Sequence, residues 1–215
     1  MPFDTIVLYQ KIRCMLKLNN SKFLKYKLLN SSFTGLSIGM LFTIYGPLDP
    51  LVYSIGGLFL AVGMLIIAKF YEKLLNIKSF YYISLMVEIM MLITLLIFIF
   101  WKISLVSALL IYIGYQFTFT FGGYLVRAET LVASDKELLG KIDFNKQLGY
   151  LVGLGASFIF YYTLNNGFEI VDTISQITIL HYILILLQVL IVLFLNASFS
   201  KKSWKNFLNR ESLND

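Results

Sequence analysis

Residues 80–100 read FYYISLMVEIMMLITLLIFIF, twenty-one residues with one charged side chain, Glu88. At about 1.5 Å per residue such a helix is about 30 Å long, the thickness of a bilayer's hydrocarbon core. Five more stretches of similar character flank it, at roughly 28–48, 51–70, 103–125, 148–165 and 173–197. The chain therefore reads as all-α, a polytopic membrane protein with six transmembrane helices in a domain spanning 28–197. A basic amphipathic segment, 1–27, precedes that domain, and a basic cytoplasmic tail, 198–215, follows it.

Composition agrees. Of 215 residues, 58% are hydrophobic, 16% aromatic and 14% charged, and the mean hydropathy is +0.77. A soluble domain averages about 45–50% apolar and about 25% charged. These values exclude a soluble enzyme, a nucleic-acid-binding domain and a disordered tail. The net charge of +6 is a topological signal. With six helices, 17 of the 18 basic residues fall on one side; Lys102 alone falls on the other, beside Asp49, Glu169 and Asp172. Lysine and arginine stay on the cytoplasmic side, so both termini are expected there, in a bacterial inner membrane. The N-terminus lacks the pattern of a cleaved signal peptide. Within it, Phe3, Ile6, Val7, Ile12, Met15 and Leu16 form one face of an expected interfacial helix over 3–18. The polar segment 126–147, with Leu131, Leu138 and Leu139 among charges, is expected to be partly helical at the membrane surface.

One cysteine, Cys14, and one histidine, His181, allow neither an internal disulfide nor a metal cage, and no cofactor is expected. The chemistry-bearing candidates are few. Glu88 lies inside the third apolar stretch, where a carboxylate is expensive and needs a partner or a water-filled cavity. It is a candidate coupling residue, protonated or paired with Arg127 or Lys27. Gln116, Thr120 and Tyr124 share one face of the fourth stretch, four residues apart. With Asn30 and Thr34 of the first they are candidates for a solute path. Such hydroxyls also bond to their own helix backbone, which is the competing reading. Gly56, Gly57, Gly122 and Gly123, and Gly149 with Gly153 and Gly155, are placed for close helix packing. Ser157 and His181 fall at similar depth, which leaves an intramembrane hydrolase as a remote alternative. A nucleophilic dyad needs orientation and an oxyanion site besides depth, and no enzyme is expected.

The stretch GGYLVRAETLVASDKELLGKIDFNKQLGYLVGLGASF, residues 122–158, resembles the region between helices four and five of the major facilitator superfamily, in its drug-efflux-like branch. Glu129 matches the branch's glutamate, and Leu131, Leu139, Gly140, Lys141, Asp143, Lys146 and Gly149 fall on later positions; Ala133 and Ser134 replace its Tyr-Asp pair. In the loop between helices two and three, Glu72 and Lys73 stand for the family's acidic and basic gate residues, while both motif glycines are absent. The resemblance implies one six-helix half of a twelve-helix transporter, with a gate formed by Glu72, Lys73, Arg127 and Glu129. A half-bundle exposes polar groups that lipid cannot satisfy. A homo-oligomer or a second membrane subunit is therefore expected besides the lipid bilayer and a small solute. The alternative is a non-transporting accessory or structural subunit of a membrane complex.

Overall fold

A computed structural model describes residues 16–101, 104–133 and 135–201. Most of the expected amphipathic segment and nearly all of the C-terminal tail lie outside them. The described residues form a helical bundle. Its long helices are α1 (Asn20–Tyr45), α2 (Pro50–Lys69), α4 (Ile77–Phe100), α5 (Leu105–Val132), α6 (Lys136–Gly167) and α7 (Thr173–Ser198), with a single turn, α3 (Tyr71–Leu74), between α2 and α4.

Each long helix begins at a side chain suited to cap it. Asn19, Asp49, Asn76, Ser104, Asp135 and Asp172 each accept a hydrogen bond from a main-chain N–H in the following turn. Those N–H groups have no partner within the helix, and in apolar surroundings leaving them bare would be costly. Pro50 occupies the first position of α2, where a missing N–H costs nothing.

Five of these helices, α1, α2, α4, α5 and α7, are long and apolar enough to cross a membrane. Their outward faces fit that environment. On α2 only Ile67 is buried, while Leu51, Leu58, Phe59 and Leu65 are exposed. An apolar patch of this extent is a liability in water and an ordinary surface in lipid. The chain is an integral membrane protein.

The polar segment 126–147 is helical on both sides of a short break: its first part completes α5, and its second part forms the opening turns of α6. One expectation is corrected: residues 16–18, placed at the end of the interfacial helix, are not helical. They form strand β1 (Leu16–Leu18), which pairs antiparallel with β2 (Phe199–Lys201), Leu18 opposite Phe199. Asn19 N–H donates to the Ser198 carbonyl at 2.7 Å. The start of α1 is thus clasped to the end of α7.

The packing has an internal order. α1 lies against α6 and α7, α4 against α5 and α7, and α2 against α5, with a smaller α1–α5 contact. Exchanging the triplet α1, α2, α4 with the triplet α5, α6, α7 reproduces this set of pairs. Glycine sets the closest crossing. A Cβ on Gly35 would strike the Tyr150 carbonyl and the Leu154 nitrogen. One on Gly149 or Gly153 would strike the carbonyl of Leu28 or Ser32. Main chain therefore meets main chain between α1 and α6, which only glycine permits. Gly155 has open space around it and plays no part in the crossing.

The core is built from helical stripes. On α7, Ile177, Leu180, Leu184, Gln188, Ile191 and Leu195 recur every three or four residues and are all buried. Gln188 is the polar member of that stripe.

Candidate functional site

The polar interior is organised from one turn of α1. Tyr26, Lys27 and Asn30 leave this turn toward two different carboxylates.

Glu88 of α4 is 3% exposed. Its Oε1 accepts from the Tyr26 hydroxyl at 2.7 Å and from Asn30 Nδ2 at 2.8 Å. Gln188 Nε2, from α7, donates to Oε2 at 2.8 Å and to the Glu88 main-chain carbonyl at 2.9 Å. Both of those partners are acceptors, which fixes the amide orientation: the NH2 faces Glu88, and Oε1 is left over. Gln188 Oε1 is buried without a hydrogen-bond partner among the described residues. Three helices thus converge on one carboxylate, and every side chain that reaches it is a neutral donor.

Glu129 of α5, also 3% exposed, is the second carboxylate. Lys27 Nζ lies 2.5 Å from its Oε2, and Lys146 Nζ of α6 lies 3.3 Å from its Oε1. Lys146 also reaches Asp143 at 3.5 Å. The Lys27 ammonium sits over the rings of Phe23, Tyr26 and Phe80 at 5.2 to 5.7 Å. Aromatic faces carry partial negative charge and compensate part of the water this lysine has lost.

Above the Glu88 cluster, along α1, opens a cavity of about 220 Å³. Asn30, Thr34, Ser37, Glu88, Thr118 and Gln188 supply its polar lining, and Phe33, Met91, Tyr115 and Phe119 much of its apolar wall. Beyond it, Tyr45, Tyr53, Tyr112 and Tyr115 pack edge to face with ring centroids 5.5 to 6.4 Å apart. The cavity therefore lies between an ionic cluster at one end of the bundle and a tyrosine cluster toward the other.

The sequence candidates distribute unevenly over this arrangement. Glu88, Asn30 and Thr34 meet at the cavity. Gln116, Thr120 and Tyr124 do not line it. Thr120 faces Gly63 of α2, and Tyr124 donates to the Leu74 carbonyl at 2.9 Å. The Thr120 hydroxyl donates to the Gln116 carbonyl at 2.8 Å, and Gln116 Oε1 is buried without a hydrogen-bond partner among the described residues.

Neither expected charge partner of Glu88 forms an ion pair with it. Lys27 pairs with Glu129, and the Arg127 guanidinium lies 5.7 Å from the Tyr71 ring centroid. The four gate residues do not converge either. Glu72 and Lys73 are exposed on α3, and neither has an ion pair within 4 Å among the described residues. Glu129 instead joins α1 to α6 through Lys27 and Lys146.

Ser157 and His181 are also apart. His181 stacks on Phe98 of α4 at 3.8 Å, and its Nδ1 bonds the Ile177 carbonyl at 2.8 Å. Ser157 lines a groove beside Ile38 and Gly39 of α1. α6 and α7 both pack on α1 and form no extended contact with each other.

Sequence reasoning missed Gln188, Tyr26 and the Glu129–Lys146 link. Gln188 did carry a signal, as a lone amide inside ILILLQVLIVLF. No family model, curated protein or solved structure matches the chain.

Proposed function

We propose that the chain is one six-helix half of a major-facilitator-like transporter, moving a small solute through the cavity at Glu88. It works in a bacterial inner membrane with both termini cytoplasmic. The observation that carries this reading is the packing order: two three-helix triplets exchange places around a polar cavity. Nested three-plus-three repeats of inverted topology are the architecture of rocking transporters, with the site at the repeat interface near mid-membrane.

The clasp between β1 and β2 supports six crossings. It holds the start of α1 at the end of α7, and a chain that returns to its starting face has crossed an even number of times. The five apolar helices need α6 as the sixth. Its 32 residues extend about 48 Å, enough to span the bilayer and leave its charged opening turns outside. Thr34 and Phe119 are exposed at the cavity rim, so a second copy or a second membrane subunit covers that side.

The hydrogen bonds that tie Glu88 to α1 and α7 favour one other reading, a non-transporting subunit in which the cluster only holds α1, α4 and α7 together. A cysteine at Thr34 separates the two: a transporter presents it to water on both sides of the membrane in turn, and a static subunit does not.

A further inference from the structure

We infer that the cavity at Glu88 binds a small primary amine, its ammonium on the Glu88 carboxylate. This rests on the transporter reading of the same site and names its ligand class.

Charge is the first argument. The buried cations already have carboxylates: Lys27 is on Glu129, and Lys146 is on Glu129 and Asp143. Among the described residues, no lysine or arginine nitrogen lies within 4 Å of Glu88. Its partners Tyr26, Asn30 and Gln188 are neutral. Among the described residues Glu88 is the buried carboxylate with no cation in contact, although the Lys27 charge reaches it through space, and inside a membrane such a group marks a ligand or ion path.

Hydrogen bonding is the second. Three of the four hydroxyls on the cavity wall have spent their protons on main-chain carbonyls: Thr34 donates to Asn30, Ser37 to Thr34 and Thr118 to Tyr115. What remains on these three is acceptor capacity. The Tyr115 hydroxyl, without a partner among the described residues, can accept as well as donate, and Gln188 Oε1 adds an unpartnered acceptor. An ammonium is all donor, so it complements this lining.

The walls and the volume narrow the class. Phe33, Tyr115 and Phe119 offer aromatic surface to a cation or to its apolar tail. A volume of about 220 Å³ lies below the range of about 300–1,000 Å³ typical of drug-sized ligands. At about 30 Å³ per water it holds the equivalent of about seven waters, so it encloses a ligand portion of roughly that many non-hydrogen atoms, about an aromatic ring or a short chain with its ammonium. A bulky lipophilic cation is too large to be enclosed.

The test is equilibrium binding of radiolabelled phenethylamine to the full chain in nanodiscs, with empty nanodiscs subtracted. The expected result is saturable binding, displaced by unlabelled benzylamine but neither by 2-phenylethanol, the neutral analogue, nor by tetraphenylphosphonium, which is too large. Glu88→Gln should weaken binding at least tenfold. Thr34→Trp, on the exposed rim and making no hydrogen bond to Glu88 itself, should weaken it as much by filling the cavity, and it decides the matter if Glu88→Gln does not fold. Absence of saturable binding, equal competition by the alcohol, or binding that survives Thr34→Trp overturns the inference. Binding is read without transport. Failure here leaves two-sided accessibility at Thr34 untouched, and failure of that accessibility leaves the amine site standing.

Discussion

Gln188 donates both hydrogens of its side-chain amide to Glu88, one to the carboxylate at 2.8 Å and one to the main-chain carbonyl at 2.9 Å. The two residues are 100 positions apart, and their bond pins α7 to α4. A hydrogen bond to a charged group is worth about 1.5–3 kcal/mol when buried. Gln188→Leu should destabilise the protein by that amount, read as a lowered midpoint in detergent thermal unfolding. Gln188→Glu should cost more, because it sets a second carboxylate against the first. If Gln188→Leu unfolds like the unmodified protein, the Glu88 cluster does not hold these helices together.

The Lys27–Glu129 pair predicts a compensating double substitution. Glu129→Gln strands Lys27 in a buried position, and removing one partner of a buried pair costs about 3–5 kcal/mol. Lys27→Met leaves Glu129 with Lys146 and should cost less. Combining the two should recover much of the loss, so the effects will be non-additive in a double-mutant cycle. Additive losses would mean that the pair is not coupled. Glu72→Lys, on an exposed residue of α3, should by contrast change stability by no more than about 0.5 kcal/mol.

The α1–α6 crossing predicts that a single methyl group is intolerable at Gly153. Its Cβ would meet the Ser32 carbonyl and the Leu36 nitrogen, which are main chain and cannot swing aside. Gly153→Ala should destabilise by about 1–3 kcal/mol. At Gly155, two positions along α6, the surroundings are open, and Gly155→Ala should be neutral or slightly stabilising. Equal behaviour at the two positions would contradict the crossing.

Much of this architecture is legible in the sequence, and the failures have identifiable causes. Apolar runs located the long helices, but a hydropathy window registers only the lipid-facing part. It set the starts of the first and fifth spans at residues 28 and 148. The caps at Asn19 and Asp135 give the true starts, at Asn20 and Lys136. Both caps are visible in the sequence to a reader who looks for Asn and Asp ahead of a periodic run. Lys27 sits among lysines expected on the cytoplasmic side; nothing local shows that it turns inward onto Glu129.

Glu88 stood out because carboxylates are rare in apolar runs, yet its partners were unreadable. Which helices touch is a property of the tertiary packing. The same ignorance made Ser157 and His181 look like neighbours, although α6 and α7 lie on α1 without an extended contact between them. In the stripe of Gln116, Thr120 and Tyr124, Thr120 bonds its own helix as the competing reading had it, while Tyr124 reaches the Leu74 carbonyl, a contact that only the tertiary packing creates.

Topology gives a further check. With six crossings, single cysteines near Asp49 and Glu169 in a Cys14→Ser background should be modified from outside intact cells by a membrane-impermeant maleimide. One at Lys136 should react only after permeabilisation. Reaction at Lys136 from outside would remove α6 as a crossing helix.

The most direct test of the transport reading is the accessibility of Thr34→Cys, again in the Cys14→Ser background, measured in right-side-out and in inverted membrane vesicles. Thr34 lies between the Lys27–Glu129 cluster and the tyrosine cluster around Tyr45. A cavity that opens alternately to each side should let the impermeant maleimide modify this cysteine in both vesicle types. Breaking the ionic cluster with Glu129→Gln should shift the ratio of the two rates, because two conformers a few kcal/mol apart respond to the loss of one pair. Modification from one side only, with a rate indifferent to Glu129→Gln, would contradict the account and leave a static membrane subunit in its place.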